Sequence, residues 1–296
     1  MHTLTRETLS GHMAMALFAA LVAGSHSLGG LVANEAAPIA LMFMRFALGA
    51  VVVGAMAAVG PGLSSADFRS PWRYLLTGGI FAFYFVLMFE ALKTAKPVST
   101  SAVFTLTPIM TAGFGWLILR QVTGPRVALA LAVGAAGALW VIFRGDIQAA
   151  LRFQIGRGEV IYFIGCIAHA LYIPLLRALN RGESGLAFTF GVLLGGTLVL
   201  GVAGAPEIIA TDLSALKPIV WVTLGYLVIA STAISFYLLS FASMRLTSAK
   251  VMAYSYLTPS WVILWELGLG HGAPPLAVLG GVALTLAAVA LLLRED

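Results

Sequence analysis

Histidine, tyrosine and hydroxyl side chains recur at helical spacing inside long apolar runs, and through them this chain could do chemistry. Tyr162, His169, Tyr172 and Leu176 lie close to one face of such a run, with His169 near its middle. An ionisable group at that depth of a membrane helix should face protein or water rather than lipid. A neutral histidine bonded to a neighbouring carbonyl would serve structure. One that takes a proton would hold a substrate carboxylate or carry the proton across. His26 holds the corresponding place in the first run when Leu28 is laid on Leu171, and His169 ranks above it as a substrate-binding candidate.

Arg45, Glu90 and Glu266 are the other charges within apolar runs. For Arg45 a structural ion pair is the first expectation and a substrate carboxylate the second. Glu90 and Glu266 lie near run ends, where a side chain reaches water. Tyr84 and Tyr237 sit deeper in their runs and are expected to line a cavity. The chain has no HExxH, GxSxG or Walker A pattern, and its single cysteine, Cys166, offers no disulfide or metal spacing. An enzyme is therefore not expected, nor a cofactor, and any work must be drawn from gradients.

The elements that position these groups are dictated by the solvent. Of 296 residues, 60% are hydrophobic and 10% charged, with mean hydropathy +0.98, far from the soluble balance. Continuous runs of this kind predict membrane-spanning helices rather than barrel strands. The net charge of +5 forms no basic stripe, so no nucleic-acid partner is expected. Ten helices are predicted: His12–Ala33, Ile39–Val59, Tyr74–Leu92, Val98–Leu119, Val127–Phe143, Val160–Leu179, Leu186–Val202, Ile219–Met244, Ala249–Leu269 and Leu276–Leu293. The first is too long for a signal peptide and is read as retained. The basic stretch from Arg144 to Glu159 is read as an interfacial joint, and Gly191-x-x-x-Gly195 as a close helix contact. With both termini in the cytoplasm that side receives ten Lys and Arg against six, which favours this orientation.

Two stretches, Ala102–Pro108 (AVFTLTP) and Ala253–Pro259 (AYSYLTP), share Ala-x-x-x-Leu-Thr-Pro 151 positions apart. They fall in the fourth and ninth predicted helices. Five helices per copy force the second copy to enter the membrane from the other side, so residues 1–145 and 146–296 form an inverted repeat, a transporter device. The fold class is an all-α integral membrane protein with ten transmembrane helices as two five-helix inverted repeats. Pro108 and Pro259 should bend their helices beside one central cavity. On the same stripes lie Ser101, Thr105, Ala112 and Gly115 of the fourth helix, and Met252, Tyr256, Ile263 and Glu266 of the ninth. Small and hydroxyl residues can also mediate helix packing. Taken as a whole the face favours a cavity, with Ser101, Thr105 and Tyr256 as substrate contacts.

The run Ala91 to Ala102, ALKTAKPVSTSA, the repeated Leu-Thr-Pro, and the Gly/Pro links before the fifth and tenth helices make the chain resemble two EamA-type units of the drug/metabolite transporter superfamily. By general similarity the YddG-like exporters of aromatic amino acids and methionine are nearest. The resemblance implies a multi-pass protein of the bacterial inner membrane, working in the lipid bilayer on a small-molecule substrate, with a monomer as the expected state. An apolar, aromatic chamber with scattered hydroxyls and few fixed charges suits a small neutral amino acid with a hydrophobic side chain. Export of such amino acids and related metabolites is the expectation. Broad drug efflux is the alternative, and a membrane-embedded enzyme the more distant one.

Overall fold

The computed structural model describes residues 6–60, 62–152, 155–243, 245–246, 251 and 254–293. Among them the chain is helical throughout, and nine helices are long and apolar enough to cross a membrane. We label the principal helices α1 (Arg6–Val32), α2 (Pro38–Val59), α3 (Trp72–Leu92), α4 (Pro97–Leu119), α5 (Pro125–Ile142), α6 (Arg157–Leu179), α7 (Gly185–Ala203), α8 (Pro218–Leu239), α9 (Thr258–Gly268) and α10 (Leu276–Leu293). Of these, α9 is shorter than a span; the expected helix Ala249–Leu269 falls partly outside the described residues. Four helices begin on proline, at Pro38, Pro97, Pro125 and Pro218, one or two residues earlier than hydropathy suggests. Proline is suited to the first helical position because its missing N–H is an orphan there.

Three departures from α geometry interrupt the helices. In α4 the amides of Thr105 and Leu106 bond back three residues, to Ala102 and Val103, before the helix restarts at Thr107. Pro108 has no N–H and its ring crowds the carbonyl four residues before it, which forces the break upstream of the proline itself. A tight turn at Tyr254–Leu257 precedes α9 in the same way. Leu106 and Leu257 have matching backbone angles, φ −77, ψ −17 and φ −78, ψ −13. The third departure is a π-helical turn, Ile229–Ile234, within α8.

Helices pack in the pairs α3 with α6 and α7, α2 with α7, α4 with α6, α1 with α8 and α9, and α5 with α10. Bare backbones make the closest contacts. A Cβ on Gly137 of α5 would stand 2.7 Å from the Gly281 carbonyl of α10, and one on Gly281 would stand 2.6 Å from the Gly137 carbonyl. Likewise the α3–α7 crossing seats Gly78 against the backbone of Val192 and Gly196, and Gly195 against Tyr74. Dispersion between close backbones is a principal source of helix association in lipid, where no hydrophobic force remains.

At one end of the bundle the Arg73 guanidinium, 1% exposed, binds Glu183 at 2.6 Å and also reaches the Asp67 carbonyl. Burial alone would raise the Glu183 carboxyl. The Arg73 side chain and the Arg181 N–H outweigh it and hold the group below the usual carboxylate range. The stabilisation from a lowered carboxylate is present above its unfolded value and is lost as pH falls through its folded value. Glu183→Gln should therefore lower the Tm of detergent-purified protein at pH 7, with the difference from wild type closing as the pH is taken below the carboxylate range. Gly137→Leu should cost about 2 kcal/mol or more by overpacking a backbone contact. Gly225→Ala, with nothing within 4 Å of its added Cβ, should leave the thermal transition in place.

Candidate functional site

In the centre of the bundle α1, α3, α4 and α6 converge on a cluster of rings. His26, 1% exposed, lies edge-on to Tyr162 at 5.7 Å and 6.1 Å from Phe104. His169 stands 4.6 Å from the Tyr84 ring and 5.5 Å from Phe104, so the two histidines flank one phenylalanine. Tyr84 and Tyr162 share a hydrogen bond between hydroxyls at 2.9 Å. Tyr172 stacks on Phe81 at 4.6 Å and 14°. The structure thus brings together His26, Tyr84, His169 and Tyr172, and adds Phe81, Phe104 and Tyr162 as walls.

The proton positions can be reasoned from the partners. Thr100 donates its one hydroxyl proton to the Pro97 carbonyl, so its oxygen accepts from His26 Nδ1–H at 3.0 Å. That tautomer leaves Nε2 of His26 as an acceptor. His169 Nδ1 is buried and has no hydrogen-bond partner among the described residues. A buried ring nitrogen without a partner forgoes a contribution that folding elsewhere supplies, and such groups mark places where a ligand or water completes the set.

Arg45 of α2 borders this cluster. Its guanidinium lies 3.8 Å from the centre of the Phe85 ring, and Phe85 in turn touches Tyr84 and Phe81 at 4.7 and 4.8 Å between rings. The π turn of α8 presents Ser231 and Thr232 to it. Nη2 is 3.4 Å from Ser231 Oγ and 3.3 Å from Thr232 Oγ1, and Nε is 3.4 Å from Thr232 Oγ1. Thr232 spends its own proton on the Leu227 carbonyl five residues back, which leaves its oxygen free to accept. Ser231 continues to Ser25 of α1, the neighbour of His26. The ion pair expected for Arg45 is not formed with any carboxylate among the described residues.

A cleft of about 220 Å³ opens beside this cluster. Pro108, Thr111, Ala112 and Gly115 of α4 form one wall, with Tyr256, Ile173, Pro174 and Leu131 around it, and Gln121, Thr123 and Arg177 mark its outer end. The small-residue stripe anticipated on α4 is therefore a cleft wall in its second half. None of the ring-cluster side chains lines the cleft; Ile173 is the chain neighbour of Tyr172. Thr111 Oγ1 and Tyr256 Oη are buried without partners among the described residues. A second hollow, of about 390 Å³, is lined by loop residues Ala33 to Ala37 and Lys93 and holds none of the candidate side chains.

The remaining candidates are placed elsewhere. Ser101 and Thr105 are fully buried, and each donates to the carbonyl three residues before it, Val98 and Ala102, at 2.7 Å. Tyr237 is 56% exposed, with Phe241 as its ring neighbour, rather than in the cluster. The π turn upstream adds a residue to the helical repeat and so rotates the downstream side chains by about 100° relative to regular spacing. Pro108 and Pro259 are both buried, and Pro108 lines the cleft. Met252 lies outside the described residues. Sequence reasoning passes over Phe81, Phe104 and Pro174 and ranks Arg45 low; a proline within an apolar run is a signal available for Pro174.

Comparison with known proteins agrees with this architecture. The model of the EamA-like transporter family matches twice, over residues 9–143 and 156–294. An uncharacterised transporter, YyaM of Bacillus subtilis, is 24% identical over 253 residues, spanning 82% of this chain and 80% of its own. One crystal structure superposes with a TM-score of 0.66 at 21% identity, over 98% of this chain and 96% of the other, a likeness of fold. With two matches that together cover nearly all of its length, the chain belongs to the EamA-like transporter family.

Proposed function

We propose that the protein exports small neutral amino acids with hydrophobic or aromatic side chains, and related metabolites, across the bacterial inner membrane with both termini in the cytoplasm. Transport proceeds by alternating access between two inverted repeats, residues 1–145 and 146–296, each of five helices in a ten-span bundle. The helix pairing supports the repeat. Exchanging each helix for the one five places away turns α3–α6 into α8–α1, α3–α7 into α8–α2 and α4–α6 into α9–α1, and all of these pairs pack; α2–α7 and α5–α10 map onto themselves. The paired turns before Pro108 and Pro259, with their matching backbone angles, obey the same exchange.

The observation that carries the substrate reading is the ring cluster built from both halves. Tyr84 and Phe104 come from the first, Tyr162, His169 and Tyr172 from the second. Such walls suit an apolar side chain, while the histidines and hydroxyls offer neutral donors and acceptors. A lipophilic drug cation would call for a carboxylate at this depth. Glu90 instead binds Lys93 at 2.6 Å and is 39% exposed, and Glu266 binds His271 at 2.8 Å near the end of α9. Neither joins the ring cluster, so the amino-acid reading is preferred to drug efflux.

Counterflow in proteoliposomes with labelled amino acids and one lipophilic drug cation, with and without a pH gradient, tests the reading. Saturable exchange of phenylalanine, methionine or leucine is expected, and no flux above empty vesicles for any amino acid overturns it. His169→Ala should slow exchange by about tenfold and flatten its pH profile, with His26→Ala acting in the same direction and less strongly. Thr111→Trp, which fills the cleft beside Pro108, should abolish exchange while the thermal transition of the purified protein stays in place.

A further inference from the structure

We propose that Arg45 receives the carboxylate of the substrate, which makes the substrate class a monocarboxylate with an apolar or aromatic side chain and gives this position control of specificity. The inference rests on reading the central ring cluster as the substrate chamber. Arg45 is 2% exposed, and its Nη1 is buried with no partner among the described residues. Its hydrogen-bonding contacts among the described residues are neutral hydroxyls at 3.3–3.4 Å, long for hydrogen bonds to a cation. A buried charge without a counter-charge is strongly unfavourable, and an arginine fork is shaped for the two oxygens of a carboxylate.

Among the described residues the protein supplies no such oxygens there. Every acidic residue except Glu295 and Asp296 is described. Glu35, Glu90, Glu183 and Glu266 are bound to Lys217, Lys93, Arg73 and His271, and Glu159 accepts from Ser99. Asp67, Asp146 and Asp212 cap short helices, and Glu7 and Glu207 are outside the core. The counter-charge is thus reserved for a ligand. One face of the guanidinium is covered by Phe85, which continues into Phe81 and Tyr84, so a carboxylate on the Arg45 fork would send its apolar part towards the rings. The site holds one fixed cation, which matches a monoanion better than a phosphate dianion.

The test uses full-length detergent-purified protein and reads ligand-dependent thermal shift for phenylalanine, phenylacetate, phenylalaninamide, 2-phenylethylamine and chloride, alongside the counterflow assay. Phenylalanine and phenylacetate should stabilise the wild type and the amide and amine should not. Arg45→Gln should weaken carboxylate binding at least tenfold, and Arg45→Lys, which keeps the charge and loses the fork, should fall between. Equal shifts for phenylalanine and its amide, wild-type affinity in a monodisperse Arg45→Gln, or a chloride shift equal to that of phenylacetate each overturn the proposal, the last by showing a resident inorganic anion. If Arg45→Gln does not fold, the wild-type ligand series and Arg45→Lys decide. Exchange of phenylalanine and its amide at equal rates would keep export and sink the carboxylate assignment. Carboxylate binding that weakens in Arg45→Lys, with no flux in vesicles, would keep the assignment and sink export.

Discussion

A backbone amide or carbonyl that faces hydrocarbon must find its partner within the protein, and the rest of this structure depends on that constraint. It makes each span a helix and confines irregular backbone to protein-covered positions. The three departures follow it in part, since Ile229 and Ile234 of the π turn are exposed while Ser231 and Ala233 are buried. The break at Thr105 and Leu106, the turn at Tyr254–Leu257 and the π turn at Ile229–Ile234 involve buried residues, Thr105, Tyr256 and Ser231 among them, and each borders the cleft or the ring cluster. An interrupted helix is where backbone and side chains become available to something other than their own helix.

The same economy governs hydroxyls. Thr77, Thr100, Ser101, Thr105, Thr197, Ser235 and Thr285 all donate to a carbonyl three or four residues back in their own helix. These bonds satisfy the side chain without needing a neighbour, and they explain how apolar helices carry threonine and serine at little cost. The groups left over after this accounting are informative. Among the described residues these are Ser27 Oγ, Arg45 Nη1, Thr107 Oγ1, Thr111 Oγ1, His169 Nδ1, Thr223 Oγ1, Tyr256 Oη, Ser260 Oγ and Glu266 Oε1, of which His169 belongs to the ring cluster, Arg45 borders it, and Thr111 and Tyr256 line the cleft. Of these, His169 Nδ1 and Arg45 Nη1 belong to the ionisable side chains at or beside the ring cluster.

Much of the architecture is legible in the sequence. Continuous apolar length sets the helices, prolines at first-turn positions set four of their starts, and the two Leu-Thr-Pro stretches mark equivalent breaks. Depth and spacing single out His26, Tyr84, His169 and Tyr172, and these four meet. Tyr237 is singled out on the same grounds and does not join them, since depth says nothing about direction around the helix. Periodicity is a weak guide in a membrane chain because lipid and protein interior are both apolar, so the face turned outward carries no polar signature.

By itself, then, the sequence determined the solvent, the helical class and the doubled plan, all of which arise from composition and local backbone rules that act within one helix. Which side chains share a site was decided by tertiary structure. Arg45 could be read only as a charge in want of a partner. That its neighbours are Phe85, Ser231 and Thr232, with no carboxylate among the described residues, depends on how α2, α3 and α8 cross, and on a π turn that no propensity announces. Elsewhere in the bundle the α3–α7 and α5–α10 crossings are glycine-lined contacts between helices far apart in the chain, where the energy of close packing belongs to the pair and to neither sequence alone.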